Sequence, residues 1–204
     1  FRQLFQSSSL AVPKSYSVID EIVDAVRELS KNRIGALVII ETTGPIDERD
    51  FSVPGVKLNA EVSKELLQTI FQPKTLLHDG ATLIRGSRIV SSGIILPLSG
   101  RTASRQLGTR HRAAMGITER VENCICVVVS EETGSISLAE RGTLNRPLTI
   151  TKLRDSLETL FSPAVDREAV APGLFSLGRQ IRGKSIAFVS RLLGLPSTAS
   201  RDKK

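Results

Sequence analysis

The 204 residues are 40% hydrophobic and 24% charged, the composition of an ordinary globular domain with one sizeable core. No stretch approaches the roughly 18 apolar residues of a membrane span, and at 4% the aromatic residues are too few for a protein that stacks single-stranded nucleic acid on aromatic side chains. The net charge of +7 is concentrated in residues 163–204, which carry eight Lys or Arg against three Asp or Glu. This distribution predicts a basic tail near an anionic surface rather than a basic folded domain.

The first part of the chain predicts a helix followed by a buried strand. Ser17 is a typical helix N-cap, and Asp20 and Glu21 in the first turn suit the positive end of the helix dipole. The run 36–40 is apolar and rich in β-branched residues, which indicates a buried strand.

The rest of the chain predicts three more helices and four more strands. Asn59 is expected to cap the second helix, which Pro73 ends. The third helix starts near Arg110, and Thr149 or Thr151 caps the fourth. The predicted strands cover residues 81–85, 89–96, 124–129 and 135–139. This order predicts an α/β fold with a mixed parallel and antiparallel sheet flanked by helices, rather than strict βαβ alternation.

The first polar cluster lies at the entry to the strand predicted at 81–85. Asp79 precedes Gly80, which places a carboxylate on a tight turn where a ligand can approach the backbone closely. His78 adds a second side chain that is able to bind a metal. An isolated Asp-Gly pair is more often an ordinary turn, so this cluster alone does not indicate a site.

The second cluster, Gly108-Thr109-Arg110-His111-Arg112, lies where a loop becomes the third helix. A helix N-terminus offers free backbone N–H groups and a favourable dipole to an anion. Two arginines at this end oppose the dipole, and a bound phosphate would relieve that conflict. A solvated basic turn explains the same residues equally well.

The third cluster, Ser130-Glu131-Glu132-Thr133-Gly134, follows a predicted strand. Its two adjacent carboxylates are able to hold a hard cation, although a charged hairpin turn is the commoner structure. Together the three clusters supply metal ligands, arginines for phosphates and glycines for close approach, a combination typical of metal-assisted phosphoryl or nucleotidyl transfer. No GxxxxGK[ST] motif is present, and no GxGxxG follows a strand.

Two of these clusters resemble the signatures of a known family. The motifs Asp79-Gly80-Ala81 and Arg110-His111-Arg112, about thirty residues apart, are similar to the two signatures of diadenylate cyclase domains. The segments that resemble the family, in the same order, are 76–81, 96–99, 107–114 and 129–134. The resemblance covers about residues 17–161.

The resemblance is to the membrane-anchored branch of this family. It implies a linker from an upstream membrane anchor at 1–16, a catalytic domain at 17–161 and a basic, flexible tail at 162–204. It places the protein at the cytoplasmic face of the cell membrane, with this fragment itself soluble. The implied partners are ATP, a second copy of the chain and regulatory proteins, but not nucleic acid.

The implied activity is the condensation of two ATP into cyclic di-AMP and two pyrophosphates. Because the product contains two identical linkages, the simplest catalyst is a homodimer with two face-to-face protomers. The implied catalytic residues are Asp79, Arg110, His111 and Arg112. The nucleotide is expected to contact Gly80, Ala81, Leu96, Gly108, Thr109, Arg110, His111, Arg112, Ser130 and Glu131. The ligands expected for the divalent metal, which is Mn²⁺, Mg²⁺ or Co²⁺, are His78, Asp79 and Glu132.

One position departs from the family pattern, and one competing hypothesis stays open. Asn59 stands where many relatives carry Asp, in a segment that is expected to help line the nucleotide pocket. The competing hypothesis is a binding module, either a catalytically silent nucleotide sensor or a protein whose basic tail docks on nucleic acid or a membrane. The intact motifs at 79–81 and 110–112 favour the enzyme.

Overall fold

The computed structural model describes residues 17–102 and 106–161. The helices are α1 (Val18–Lys31), α2 (Lys64–Phe71), α3 (Thr109–Arg120) and α4 (Ile150–Phe161), with a short 3-10 helix at Glu48–Asp50. The strands are β1 (Ala36–Glu41), β2 (Val56–Glu61), β3 (Ala81–Arg85), β4 (Arg88–Ile94), β5 (Cys124–Val129), β6 (Ile136–Glu140) and β7 (Thr143–Leu148). No helix in the described part of the chain has the length and apolarity to cross a membrane. The tail predicted at 162–204 and the linker predicted at 1–16 lie outside the described residues.

The seven strands form one mixed sheet, which confirms the predicted fold class. Their order is β2-β4-β3-β1-β5-β6-β7, with β1 and β3 parallel and every other neighbouring pair antiparallel. The central strands β1 and β5 are buried along their whole length, as expected for strands that are covered on both faces. Helices α1, α2 and α4 pack on one face of the sheet, and α3 packs on the other.

The starts of the helices follow from local capping. Ser17 caps α1 in a capping box with Asp20, as predicted. Arg154 Nη1 on α4 lies 2.5 Å from Asp20 Oδ1, and the hydrogen bond from this guanidinium is the main cause that lowers the pKa of Asp20 to about 2. The hydroxyl of Thr149 accepts a hydrogen bond from the backbone N–H of Lys152 at 3.2 Å at the start of α4. The cap at Asp20 therefore also ties α1 to α4.

The expected capping role of Asn59 is wrong. Asn59 lies inside β2, with a φ of 47° in the left-handed region that asparagine tolerates. Its Oδ1 accepts a hydrogen bond from Arg88 Nε at 2.7 Å. The cap of α2 is Ser63, whose hydroxyl accepts from the Leu66 N–H at 3.2 Å.

The sequence pattern does not predict the two edge strands, β2 and β7. Most of their residues are exposed or half-buried, so neither strand shows the apolar run that marks β1 and β5. Both are held by main-chain pairing with β4 and β6. Such pairing leaves no local signature in the sequence.

We expect Gly116→Ala to destabilise the domain, although alanine is the better helix former. The loop before α3 crosses the helix at Gly116, where a Cβ would overlap the Pro97 carbonyl oxygen and lie 2.7 Å from the Ser99 nitrogen. Alanine gains about 1 kcal/mol in a helix interior, whereas overpacking against backbone costs up to about 3 kcal/mol. The free energy of unfolding should therefore fall by about 2 kcal/mol in urea denaturation.

The matched control for that variant is Gly100→Ala, because nothing lies within 4 Å of a Cβ at Gly100. Its stability should equal that of the parent. If Gly116→Ala were as stable as the control, the close packing of the loop on α3 would not be a determinant of stability.

Candidate active site

Five strand ends meet at one edge of the sheet. Ala36 at the start of β1 pairs with Val129 at the end of β5. Val129 pairs in turn with Ile136 at the start of β6, and Ile136 pairs with Leu148 at the end of β7. Because β3 is parallel to β1, the start of β3 lies at the same edge. The three polar clusters, distant in sequence, are therefore brought to one side of the molecule.

A cavity of about 550 Å³ lies at this edge. It is lined by residues from before β3, from the start of α3, from the β5–β6 turn and from β7. These residues are His78, Asp79, Gln106, Leu107, Gly108, Thr109, Arg110, His111, Val129, Ser130, Glu131, Glu132, Thr133, Ser135 and Arg146. The volume is that of a small-molecule site, and the lining brings together residues of all three clusters.

The N-terminus of α3 opens into this cavity without a side-chain cap. Gly108 is its N-cap residue and makes no side-chain hydrogen bond, and the first turn contains no acidic residue. By contrast, Ser17 and Ser63 cap α1 and α2. Free N–H groups at a helix N-terminus beside Arg110 favour a bound anion.

Arg110 is held by an ion pair with the β5–β6 turn. Its Nη1 lies 2.6 Å from Glu131 Oε2, and its Nε is buried without a hydrogen-bond partner. The pair packs over Gly35, immediately before β1. A Cβ at Gly35 would lie 2.6 Å from Nη1 of Arg110 and 2.9 Å from Oε2 of Glu131. Gly35, which the sequence motifs did not reveal, thus makes room for this ion pair.

The β5–β6 turn itself is fixed to helix α1. The Ser30 hydroxyl donates a hydrogen bond to the Gly134 carbonyl at 2.6 Å. Within the turn, the Ser130 hydroxyl accepts from the backbone N–H of Thr133 at 3.3 Å. These contacts hold the turn that carries Glu131 and Glu132 beside the cavity.

His111 is buried beneath the cavity and faces β6. Its Nε2 lies 3.2 Å from the Ser137 hydroxyl oxygen. Burial lowers the pKa of His111, and the charge of Arg146 lowers it further, while Glu132 acts in the opposite direction. The free protein therefore favours the neutral imidazole, and a phosphate beside it would favour the protonated form.

His78 and Asp79 have the chemistry of metal ligands. The Nδ1 of His78 lies 2.6 Å from the Thr75 carbonyl oxygen. A protonated Nδ1 that donates to this carbonyl leaves the Nε2 lone pair free for a metal, which is the usual arrangement of a histidine ligand. Within 17–102 and 106–161, no three His, Cys, Asp or Glu residues are grouped closely enough to hold a metal ion. His78 and Asp79 both line the cavity, and a cation bound by these two side chains would take its other ligands from phosphate oxygens and water.

Four of the predicted nucleotide contacts do not line the cavity. Leu96 is 5% exposed and Ala81 is fully buried, and both belong to the core beneath α3. A Cβ at Gly80 would lie 2.7 Å from the carbonyl carbon of Gly93, so the backbone that approaches Gly80 closely is that of β4. Arg112 lies two positions after Arg110, about 200° around the helix, and therefore faces away from the cavity.

Asn59, which departs from the family pattern in a segment expected to help line the nucleotide pocket, does not line the cavity either. Its segment is in β2, at the far edge of the sheet from β7. The Asn at this position therefore replaces no polar contact in the cavity.

Arg146 on β7 is a cavity residue that the sequence analysis missed. Ile136 pairs with Leu148 and Leu138 with Asn145. Two residues of β7, Arg146 and Pro147, therefore lie opposite the single residue Ser137 of β6, which is a β-bulge. The signal that could have located this irregularity is the proline, which cannot donate a ladder hydrogen bond and is found at bulges and edges.

These features define an α/β domain whose mixed sheet carries, at one edge, a cavity with a lining that favours an anion. Residues 23–144 match the family model described as "DAC: DisA bacterial checkpoint controller nucleotide-binding". The chain belongs to this family of DAC domains, which confirms the family predicted from the two motifs.

Named relatives and solved structures agree with this membership. The chain is 45% identical over 144 residues to the cyclic di-AMP synthase CdaA of Bacillus subtilis, covering 70% of this chain and 52% of that protein. It therefore spans about half the length of this curated relative. The crystal structure of DacA from Staphylococcus aureus, a double mutant, has 37% identity and a TM-score of 0.67, covering 72% of this chain and 96% of that one.

A second solved structure is described as a hypothetical membrane spanning protein from Bacillus cereus. It has 40% identity and a TM-score of 0.58, and the match covers 63% of this chain and 62% of that one.

We expect Gly35→Ala to weaken nucleotide binding while leaving the fold stable. The added Cβ meets the ends of the Arg110 and Glu131 side chains, which can move without disturbing the backbone. Displacing one charge-assisted contact should lower the affinity for ATP about tenfold in isothermal titration calorimetry. Gly44→Ala, beyond the other end of β1, is the matched control, since its Cβ would lie 3.9 Å from the nearest atom. Equal ATP affinity of the two variants would show that the ion pair does not depend on Gly35.

Proposed function

We propose that this chain is the catalytic domain of a diadenylate cyclase, which joins two ATP molecules into cyclic di-AMP and releases two pyrophosphates. The observation that carries the proposal is that Asp79 lines the same cavity as Arg110 and His111 within a DAC domain. The Bacillus subtilis relative is named a cyclic di-AMP synthase, which supports the same reaction.

In this reaction a ribose 3′-hydroxyl attacks the α-phosphate of another ATP. Asp79 is the carboxylate that draws the proton from the attacking hydroxyl. Arg110, His111 and the uncapped N–H groups at the start of α3 bind phosphate oxygens and stabilise the charge that develops on them. Thr109 and Ser130 offer hydroxyl groups to the same oxygens.

Glu131 contributes by holding Arg110 in place. The ion pair at 2.6 Å orients the guanidinium before a nucleotide arrives. A pre-ordered side chain loses less rotamer freedom on binding, so a larger part of the interaction appears as affinity. Glu131 thus has a positioning role in addition to its predicted contact with the nucleotide.

His78 and Asp79 would hold a divalent cation, Mn²⁺, Mg²⁺ or Co²⁺, which would supply the Lewis acidity that lowers the pKa of the attacking hydroxyl. Glu132 would add a third ligand from a second copy of the chain. The carbonyl of Thr75 keeps the ring of His78 oriented toward that cation.

The adenosine lies on the β3–β4 side of Asp79. Gly80, Ala81 and Leu96 belong to this side of the sheet, although they do not line the cavity of the free protein. Arg112 faces the other side of α3 and contributes to the motif by contacting phosphate in the assembled dimer.

The active species is a pair of protomers related by a two-fold axis. Each protomer holds one ATP, and each 3′-hydroxyl attacks the α-phosphate that the other protomer holds, because the two linkages of the product are identical. The catalytic domain extends over residues 17–161. An upstream anchor holds it at the cytoplasmic face of the membrane, a proposal supported by the similarity to the Bacillus cereus membrane spanning protein.

We expect Asp79→Asn to abolish cyclic di-AMP formation without altering the fold. The amide neither accepts the proton of the hydroxyl nor provides a charged metal ligand, and loss of a catalytic ligand costs several kcal/mol of transition-state stabilisation. Chromatography after incubation with ATP and Mn²⁺ measures the product. Asp155→Asn, an exposed position on α4, is the control and should retain parent activity. A parent chain that binds ATP but forms no product would favour the silent sensor instead.

We expect the activity per protomer to rise with protein concentration at saturating ATP. Two ATP-loaded protomers must meet, so a dissociating dimer gives a rate that is nearly second order in enzyme. The measurement is the initial rate of product formation over a hundredfold dilution series. A constant specific activity would indicate a stable assembly or catalysis within one protomer.

A further inference from the structure

The guanidinium of Arg146 is a positive charge at the cavity that no cluster or motif accounts for. Arg146 lines the cavity together with Arg110 and His111. Among the described residues it has no hydrogen-bond or ion-pair partner, whereas Arg110 is tied to Glu131. A charged side chain that faces a cavity and is left without a partner is available to a ligand.

The register of β6 and β7 places Arg146 on the face of the sheet that carries α3. Leu138, whose partner is Asn145, belongs to the core on the opposite face. Ser137 is the next residue along β6, and it contacts His111 of α3. Arg146 and Pro147 both lie opposite Ser137, because the bulge adds one residue to β7. Bulges of this kind re-aim a side chain and are common beside active sites.

An electrostatic effect agrees with this placement. The positive charge of Arg146 is one cause of the lowered pKa of His111, second to burial. Arg146 and His111 line the same cavity, so one anion there is able to contact both. A phosphate between them would offset the charge of Arg146 and favour the protonated form of His111.

The strand order gives the order in which the polar groups follow one another along the cavity edge. Asp79 precedes β3, Arg110 packs over Gly35 before β1, His111 contacts β6, and Arg146 lies on β7. Along the order β3-β1-β5-β6-β7 these groups form a row that spans four strand spacings, about 19 Å. Asp79 and Arg146 mark its opposite ends.

We propose that Arg146 binds the β- and γ-phosphates of ATP, the pyrophosphate that leaves in the reaction. The direction in which the nucleotide lies along this row rests on the proposed function, because that function puts the adenosine and the α-phosphate at the Asp79 end. The phosphate chain then runs past Arg110 and His111 and ends at Arg146. In the reaction, the bond between the α-phosphorus and the bridging oxygen to the β-phosphate breaks as the 3′-oxygen bonds to the α-phosphorus. Pyrophosphate leaves with the bond electrons, and the positive charge of Arg146 stabilises it.

The test compares ligands with and without the terminal phosphates. The probes are 3′-deoxy-ATP and 3′-deoxy-AMP, which lack the attacking hydroxyl and are not turned over. Their affinities for the full chain are measured by isothermal titration calorimetry in Mg²⁺ buffer. Arg146→Ala should bind 3′-deoxy-ATP about ten- to a hundredfold more weakly and 3′-deoxy-AMP as tightly as the parent does. Arg146→Lys should recover part of the loss, because it keeps the charge without the planar fork.

The control is Arg141→Ala, at the far end of the β6–β7 hairpin and outside the cavity lining, which removes the same charge. It should leave both affinities unchanged. If Arg146→Ala loses affinity for both nucleotides equally, the substitution has a structural effect on β7. If it loses affinity for neither, Arg146 does not bind phosphate. Each of these results overturns the inference. A parent that binds the triphosphate no more tightly than the monophosphate also overturns it.

Cyclic di-AMP formation by the parent chain is measured separately. A selective loss of triphosphate binding in a chain that forms no product would retain Arg146 as a phosphate ligand and reject the proposed function. If the parent forms product, but Arg146→Ala binds 3′-deoxy-ATP and 3′-deoxy-AMP with the same ratio of affinities as the parent does, the proposed function is retained and Arg146 is rejected as a phosphate ligand.

Discussion

The register of β1 against β5 is the constraint on which the site depends. Ala36 lies opposite Val129, so the residue before β1 and the turn after β5 meet at the same edge of the sheet. Both strands are buried on both faces, so a slip of one residue would require the close-packed side chains on both sides of the sheet to repack. This pairing brings Gly35 under the Arg110–Glu131 ion pair, although the three residues come from three separate parts of the chain.

The second constraint is an electrostatic conflict at the start of α3. The positive end of the helix dipole, Arg110 and the nearby Arg146 all face one cavity, where they repel one another. Glu131 offsets part of this charge in the free protein, through a pair whose carboxylate side chain is 63% exposed. An exposed pair contributes little to stability, so Glu131 compensates this repulsion only in part. The remaining positive charge favours a bound anion.

The candidate metal ligands lie at the open side of the cavity rather than in a closed cluster. His78, Asp79 and Glu132 line the same cavity, but the described residues contain no group of three side chains close enough to hold a metal ion. A divalent cation bound in the proposed site would therefore take further oxygen ligands from phosphates and water. The mixed sheet fits this role, since its site opens at one edge, beside the loops, rather than inside the core.

The sequence by itself determined the elements whose signals are local and the clusters that carry the chemistry. Helix α1 was predictable because Ser17 and Asp20 form its cap, and β1 and β5 because both of their faces are apolar. The motifs around Asp79 and Arg110 were predictable because their residue types are unusual for a turn and for a helix start. Only the tertiary structure decided the roles of Gly35 and Arg146 and the existence of β2 and β7. Edge strands are formed by hydrogen bonds to a neighbouring strand, and a residue opposite a bulge is placed by the register of that neighbour. Apart from Pro147, which marks the bulge, the residues of these strands carry no local signal of their pairing, so the sequence alone did not place Arg146 at the cavity.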